Sequence, residues 1–148
     1  MNLTDKINND LKEAIKAKDK DALRALRAIK SAILLAKTDG SGQELTDEVG
    51  MKLLQKLVKQ RQDSLEIYEK QGREDLAVTE RQEIEIISKY LPEAMSREEL
   101  ETTLKSLVEE LGASSMKDMG RVMGTATKQL AGKADGKDIS TIVRQLLS

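Results

Sequence analysis

The chain has 148 residues, with 25 lysines and arginines against 26 aspartates and glutamates and a formal net charge of −1. Cysteine and histidine are both absent, which excludes disulfides, thiolate or imidazole catalysis, and zinc sites built from these ligands. With no Phe or Trp and only two tyrosines, the core has to be aliphatic, a composition that favours helices over sheets.

No apolar run reaches the roughly 18 residues that a membrane span needs, and the first ten residues are too polar for a signal peptide. The lack of cysteine fits a reducing compartment. We therefore expect a cytoplasmic protein without a membrane partner.

Apolar residues recur every three or four positions through the first part of the chain, and this period predicts amphipathic helices. The first two helices are predicted over residues 3–18 and 20–37. The glycine- and serine-containing segment from Thr38 to Gln43 is predicted to be a mobile loop. These features predict the first helical hairpin of a bundle.

Thr46 is suited to cap a third, long helix, and Gly72 is placed to end it. A fourth helix stops at Pro92, the only proline, and we place a domain boundary there, giving domains 1–92 and 93–148. The buried stripe of the third helix is predicted to contain Val49, Leu53, Leu57, Val58, Leu65 and Tyr68.

Three shorter helices are predicted in the remainder of the chain. Ser96 and Glu99 form a capping box at the start of the first of them, and Gly112 ends it. Ser115 marks the start of the second, and the third follows the basic turn 132–137. Because no segment shows strand alternation, the predicted fold is all-α, an N-terminal bundle of about four helices followed by a small C-terminal three-helix domain.

Positive charge concentrates at the C-terminal end of the chain. Residues 1–111 carry 19 basic and 23 acidic side chains, a net charge of −4, whereas residues 112–148 carry six and three, a net charge of +3. Such asymmetry is typical of a polyanion-binding end, and the turn GKADGK places backbone amides beside lysines, which suits phosphates. The candidate RNA-binding residues are Lys117, Arg121, Lys128, Lys133, Lys137 and Arg144. The alternative for all six is a solvated surface.

Residues 112–137 also hold five of the nine glycines. Gly120 and Gly124 are four residues apart on one face of a predicted helix, where they either admit a partner helix or RNA backbone or serve packing inside the bundle. Gly132 and Gly136, in the basic turn, complete the set of close-approach glycines. The methionines of this segment are expected to fill the core, with an adaptable binding face as the alternative: Met116, Met119 and Met123.

We predict no catalytic residue, no metal and no cofactor. Ser114 and Lys117 have a spacing found in hydrolases that use lysine as a base, but the accompanying motifs are missing and the serines are accounted for as helix caps. No P-loop, G-x-G-x-x-G turn or metal-binding carboxylate loop occurs. Because both tyrosines lie outside the tail, any RNA contact is expected to involve phosphates and shape.

The tail sequences KDMGRVMG and AGKADGKDISTIV resemble the signature of the GatB/YqeY family. Three further segments resemble its stand-alone YqeY-like members, so that the resemblance covers nearly the whole chain: LTDKINNDLKEAIKAKDKDALRALRAIKSAI, KLVKQRQDSLEIYEKQGREDL and ISKYLPEAMSREEL. The resemblance implies a two-part helical protein whose C-terminal part is similar to the tail domain of the B subunit of the glutamine-dependent tRNA amidotransferase. That tail domain contacts tRNA away from the reacting end. The sequence has no counterpart of the subunit's ATP-binding cradle or of the glutaminase subunit.

Three functional hypotheses follow from these features. The first is a non-catalytic tRNA-binding accessory protein, with tRNA and the tRNA-charging or amidotransferase machinery as expected partners and no DNA. The second is the carbon–nitrogen ligase activity, with glutamine as amido-nitrogen donor, that family membership implies, so whether the chain is itself an enzyme stays open. The third is a helical interaction module whose methionine and glycine face grips a partner helix.

Overall fold

The computed structural model describes residues 2–38 and 45–148. All regular secondary structure in these residues is helical, which confirms the prediction of an all-α protein. The segment predicted to be a mobile loop lies, apart from Thr38 itself, outside the described residues. The chain divides into two compact units, Met1–Pro92 and Glu93–Ser148. No helix in the described ranges is both long enough and apolar enough to cross a membrane.

The first unit contains four helices: α1 (Leu3–Ala17), α2 (Lys20–Thr38), α3 (Asp47–Lys70) and α4 (Glu74–Ser88). The side chain of Asn2 accepts a 2.8 Å hydrogen bond from the amide of Asp5 at the start of α1. Thr46 does the same for the amide of Val49 at 3.2 Å, which confirms the predicted cap of α3. Local sequence therefore determines where these helices begin.

Gly72 ends α3 in the way the sequence predicts. Its φ of +69° is a left-handed conformation that glycine adopts without steric cost. The amide of Gly72 donates to the carbonyl of Glu69 at 3.2 Å, and the amide of Arg73 donates to that of Tyr68 at 2.9 Å. These two bonds satisfy carbonyl groups that the last turn of the helix leaves unpaired.

The core of the first unit is aliphatic, as the composition requires. Its buried residues are Ile7, Leu11, Ala14, Ala25, Leu26, Ile29, Ile33, Leu54 and Ile87. Of the predicted buried stripe of α3, Leu53, Leu57 and Val58 pack against this core, but all six of its residues are only half-buried, whereas Leu54, which the prediction missed, is fully buried. Which side of α3 is buried depends on tertiary packing, because the helix contacts both α2 and α4. Close to its start, the buried Gly50 lies against Leu3, and a Cβ added at Gly50 would be 3.1 Å from the Leu3 side chain.

The second unit contains α5 (Arg97–Glu110), a short 3-10 turn (Met116–Asp118), α6 (Met119–Gln129) and α7 (Gly136–Leu147). The hydroxyl of Ser96 accepts a 3.1 Å hydrogen bond from the amide of Glu99, which confirms the predicted cap of α5. Gly112 follows this helix with a φ of +64°. The core residues are Leu100, Leu104, Leu107, Val108, Val122, Ala126, Leu130, Ile139, Ile142, Val143 and Leu147.

Candidate nucleic-acid interface

Helix α6 presents cations and glycines on the face opposite its core contacts. Val122 and Ala126 are fully buried. Successive residues of an α-helix are turned by about 100°, so positions 120, 121, 124 and 128 point away from these two. Gly120, Arg121, Gly124 and Lys128 are indeed exposed. The outer face of α6 therefore combines exposed backbone with positive charge, and within the described part of the second unit no side chain covers the two glycines.

The interpretation of Gly120 and Gly124 as internal packing positions is wrong. A Cβ added at either glycine meets no atom within 4 Å, so no other described helix of the second unit packs closely on these positions. Met116 is likewise not a core residue, since 46% of it is exposed, whereas Met119 and Met123 pack against the core. The other reading of the glycines, approach by a partner, stays a prediction.

Helix α7 presents its cations in the same way. The carboxylate of Asp135 caps its start by accepting a 3.1 Å hydrogen bond from the amide of Lys137. Ile139, Ile142 and Val143 are buried and orient the helix. Lys137 and Arg144, seven residues apart and thus about two turns along one side of the helix, are exposed.

The basic turn between α6 and α7 has a fixed backbone. Gly132 has a φ of +79°, and a Cβ added at Gly136 meets no atom within 4 Å. The carbonyl of Lys133 accepts a 3.0 Å hydrogen bond from the amide of Met95, and its own amide donates to the carbonyl of Leu130 at 2.9 Å. The Lys133 side chain nevertheless extends into solvent. The turn thus fixes the backbone position from which this cation extends.

Arg121 differs from the other five candidates because its guanidinium is already bound. Nη1 donates a 2.8 Å hydrogen bond to the carbonyl of Leu111, just after α5, and Nη2 lies 3.2 Å from Oδ1 of Asp118. A hydrogen bond from the amide of Ser114 to Oδ2 of Asp118, together with Arg121, lowers the pKa of the Asp118 carboxyl. Arg121 therefore joins the end of α5 to the start of α6.

The remaining five candidates have no hydrogen-bonded or ion-paired side chain within the part of the chain that the structure describes: Lys117, Lys128, Lys133, Lys137 and Arg144. Two of the three acidic residues of the segment are engaged locally, Asp118 with Arg121 and Asp135 with the start of α7. Helices α6 and α7 are neighbours. Two adjacent helices and the turn that joins them thus expose cations that form no ion pair within the described residues.

The predicted serine and lysine pair has a structural explanation. The hydroxyl of Ser115 accepts a 3.4 Å hydrogen bond from the amide of Lys117, and the amide of Ser114 is bound by Asp118. Both serines therefore take part in the local caps that begin the 3-10 turn. Across residues 2–38 and 45–148, no group of three or more acidic residues is arranged to hold a metal ion.

One charged cluster that the sequence does not reveal lies in the first unit. Glu83 of α4 is buried, and its two oxygens accept 2.9 Å hydrogen bonds from Nε of Arg24 in α2 and Nε of Arg61 in α3. The three residues are far apart in the chain, and no local spacing connects them. Because both carboxylate oxygens are occupied, the cluster joins three helices of this unit.

Comparison with known proteins places the chain in a family. The family model described as "Yqey-like protein" matches residues 4–147. The chain is 34% identical over 137 residues to "Altered inheritance of mitochondria protein 41, mitochondrial" of Candida glabrata, an alignment that covers 90% of this chain and 71% of that protein. The protein of the same name from Clavispora lusitaniae is 39% identical over 124 residues, covering 82% and 69%. That from Pyrenophora tritici-repentis is 28% identical over 145 residues, covering 96% and 79%.

These names contradict the expectation of a cytoplasmic protein, because all three relatives are named as mitochondrial. That expectation rested on the polarity of the first ten residues and on the lack of cysteine, neither of which reports the compartment. The resemblance noted in the tail and the helical body is confirmed. Since the match extends over residues 4–147, the chain belongs to the YqeY-like protein family.

Proposed function

We propose that this chain is a non-catalytic RNA-binding accessory protein whose second unit holds the backbone phosphates of a folded RNA. The observation that supports this most directly is the set of five exposed cations on α6, α7 and the adjoining turns, none of which is paired within the described residues. Lys and Arg side chains that displace counterions from a phosphate backbone supply most of the non-specific affinity for nucleic acids. The RNA implied by the resemblance to the amidotransferase tail is tRNA.

The outer face of α6 suits a backbone contact. Gly120 and Gly124 leave open space above the helix, so a ribose–phosphate chain can come closer there than it could beside a larger side chain. Lys128 lies on the same face, one turn beyond Gly124. With no aromatic side chain in residues 93–148, this unit offers no aromatic ring for base stacking, and recognition depends mainly on the shape and phosphates of the RNA.

The proposal is tested by titrating fluorescently labelled total tRNA with the full chain at several salt concentrations. We expect the logarithm of the affinity to fall linearly with the logarithm of the salt concentration, with a slope of about −4 for five phosphate contacts. Lys133→Glu with Lys137→Glu should weaken binding at least tenfold. The control, Lys56→Glu with Lys105→Glu, makes the same change in net charge at exposed lysines outside the proposed surface and should leave binding nearly unchanged.

Absent or salt-independent tRNA binding would rule the proposal out. Equal losses in the two double variants would also contradict it, because only the overall charge would then matter. The carbon–nitrogen ligase alternative rests on the family resemblance alone. A glutamine-dependent amidation assay on mischarged tRNA measures it directly, and turnover by the purified chain would replace the accessory role proposed here.

We also propose a mitochondrial location, because the relatives are named as mitochondrial proteins. Fractionation of cells that produce the protein at its natural level tests this. Recovery of the chain in the mitochondrial fraction, protected from added protease, is the expected result, and its recovery in the cytosol would contradict the proposal.

A further inference from the structure

Helix α2 is more basic than any charge count over the whole chain suggests. Its 19 residues contain five basic side chains and one acidic side chain, Asp21. The sequence-based count over residues 1–111 hides this excess, because acidic residues elsewhere in that segment outnumber basic ones. The helix is therefore a local concentration of positive charge on a unit that the overall composition describes as acidic.

Four of these cations lie on the solvent-exposed surface of α2. Ala25, Leu26, Ile29 and Ile33 are buried and define the inner side of the helix. At about 100° per residue, positions 20 and 27 fall opposite this inner side, whereas positions 30 and 37 fall about a quarter turn from its centre, at one edge of the exposed surface. All four side chains are exposed: Lys20, Arg27, Lys30 and Lys37. They are distributed over 18 residues, about 25 Å of helix.

The charge of this outer side is not neutralised by its neighbours. Arg24, the fifth cation, is bound to Glu83 and lies 3.3 Å from Asp21, so the one acidic residue of the helix already has a partner. The four outer cations make no ion pair with any residue that the structure describes. A surface that attracts anions, rather than a balanced network of ion pairs, therefore covers the outer side of α2.

Two large apolar side chains share this exposed side. Leu34 is 54% exposed and Leu35 is 69% exposed, although both lie in the C-terminal half of a well-packed helix. We name the outer side of α2 the α2 cationic face, defined by Lys20, Arg27, Lys30, Leu34, Leu35 and Lys37. Polyanion binding alone does not use exposed leucines, whereas a surface with both anionic groups and an apolar interior uses both kinds of side chain.

We propose that the α2 cationic face binds peripherally to an anionic lipid surface, with the four cations at the headgroups and the two leucines entering the acyl boundary. Basic side chains near an anionic membrane each add to the attraction, and partial insertion of apolar side chains strengthens it. The face is the outside of a single helix and is convex, with Leu34 and Leu35 diverging by about 100°. A lipid surface adapts to such a shape.

This proposal concerns the first unit and does not depend on RNA binding by the second. It differs from the expectation that the protein has no membrane partner. That expectation followed from the lack of a membrane-spanning segment in the sequence, and a peripheral contact does not need one.

The test is co-sedimentation of the full chain with vesicles of phosphatidylcholine, either pure or containing about 30% phosphatidylserine. We expect binding to the anionic vesicles only, and its loss at about 0.5 M salt because charges are then screened. Arg27→Gln with Lys30→Gln should lower the partition coefficient about thirtyfold. Leu34→Ser with Leu35→Ser should lower it about tenfold.

Matched controls keep the interpretation specific. Lys56→Gln with Lys89→Gln removes the same two charges from exposed positions outside α2, and Ile67→Ser with Val78→Ser removes two other exposed apolar side chains. Both controls should bind vesicles like the unmodified protein. Failure of the unmodified chain to bind anionic vesicles would overturn the proposal, as would equal losses in the controls. A loss of tRNA affinity in the α2 variants with unchanged vesicle binding would instead identify an RNA surface.

Discussion

Arg61 of α3 and Glu83 of α4 form a buried ion pair, in which Nε of the arginine donates a 2.9 Å hydrogen bond to Oε2 of the carboxylate. Their side chains are only 16% and 10% exposed. The second oxygen of Glu83 accepts an equally short bond from Arg24 of α2. One carboxylate therefore links three helices of the first unit, at a place where solvent screens the charges little.

Glu83→Ala should lower the free energy of unfolding by about 3 kcal/mol, because two arginines lose their partner and one of them stays largely buried. Urea denaturation followed by circular dichroism measures this. The control is Glu13→Ala, which removes an exposed carboxylate that pairs with Lys16 and should change stability by no more than about 0.5 kcal/mol. Equal effects of the two substitutions would show that the cluster is not a stabilising contact.

Glu80 should make stability depend on pH in the opposite direction from a salt-bridged carboxylate. Burial and the neighbouring Glu83 raise the pKa of its carboxyl. The folded protein then holds this proton more tightly than the unfolded chain does. The resulting stabilisation is present below the ordinary glutamate pKa and is lost as pH rises through the raised pKa.

Glu80→Gln should therefore stabilise the protein at pH 7, and the gain should shrink as the pH is lowered toward about 4, where the natural residue also becomes neutral. Urea denaturation of both proteins at several pH values measures the difference. Glu85→Gln, an exposed position on the same helix, serves as the control. A gain that stays constant with pH would contradict this explanation.

Gly124→Ala should raise the stability of the fold and at the same time weaken tRNA binding. Because an added Cβ meets no atom within 4 Å, alanine should gain its full helical advantage over glycine, about 1 kcal/mol in the free energy of unfolding. The same methyl group lies on the proposed RNA-binding face and should weaken tRNA binding. Gly72→Ala is the contrasting variant: its φ of +69° strains alanine, so stability should fall by about 1 kcal/mol with tRNA affinity unchanged. Unchanged tRNA affinity in Gly124→Ala would remove this glycine from the interface.

Truncation of Arg121 should lower the stability of the protein, whereas truncation of Lys137 should mainly affect tRNA binding. Arg121→Ala removes the hydrogen bond to the carbonyl of Leu111 and should cost about 1 kcal/mol of stability. Lys137→Ala removes an unpaired exposed side chain and should change stability by less than about 0.5 kcal/mol, while reducing the salt dependence of tRNA binding by about one phosphate contact. Thermal denaturation and the salt titration together test both expectations, and an Arg121→Ala protein as stable as the unmodified one would contradict the structural role.

The helical class and several helix ends could be predicted because they depend on neighbouring residues. Thr46 and Ser96 each bond to an amide three residues ahead, and Gly72 takes the left-handed conformation that its position after a helix requires. Such interactions close within a few residues, so their spacing in the sequence is sufficient to identify them. The candidate cations were also identifiable by type, although their sequence spacing did not show which of them would find partners.

The sequence by itself determined an aliphatic, helical protein with a basic C-terminal segment. These properties follow from the residue types present and from the helical spacing of apolar residues, both of which depend only on residues close together in the chain. Only the tertiary structure decided that Arg121 is bound to the end of α5, that Gly124 faces open space, and that Glu83 lies between two arginines. Each of these outcomes depends on which residues of other segments come within a few ångströms. That proximity is set by how the helices pack, and helical period alone does not contain it.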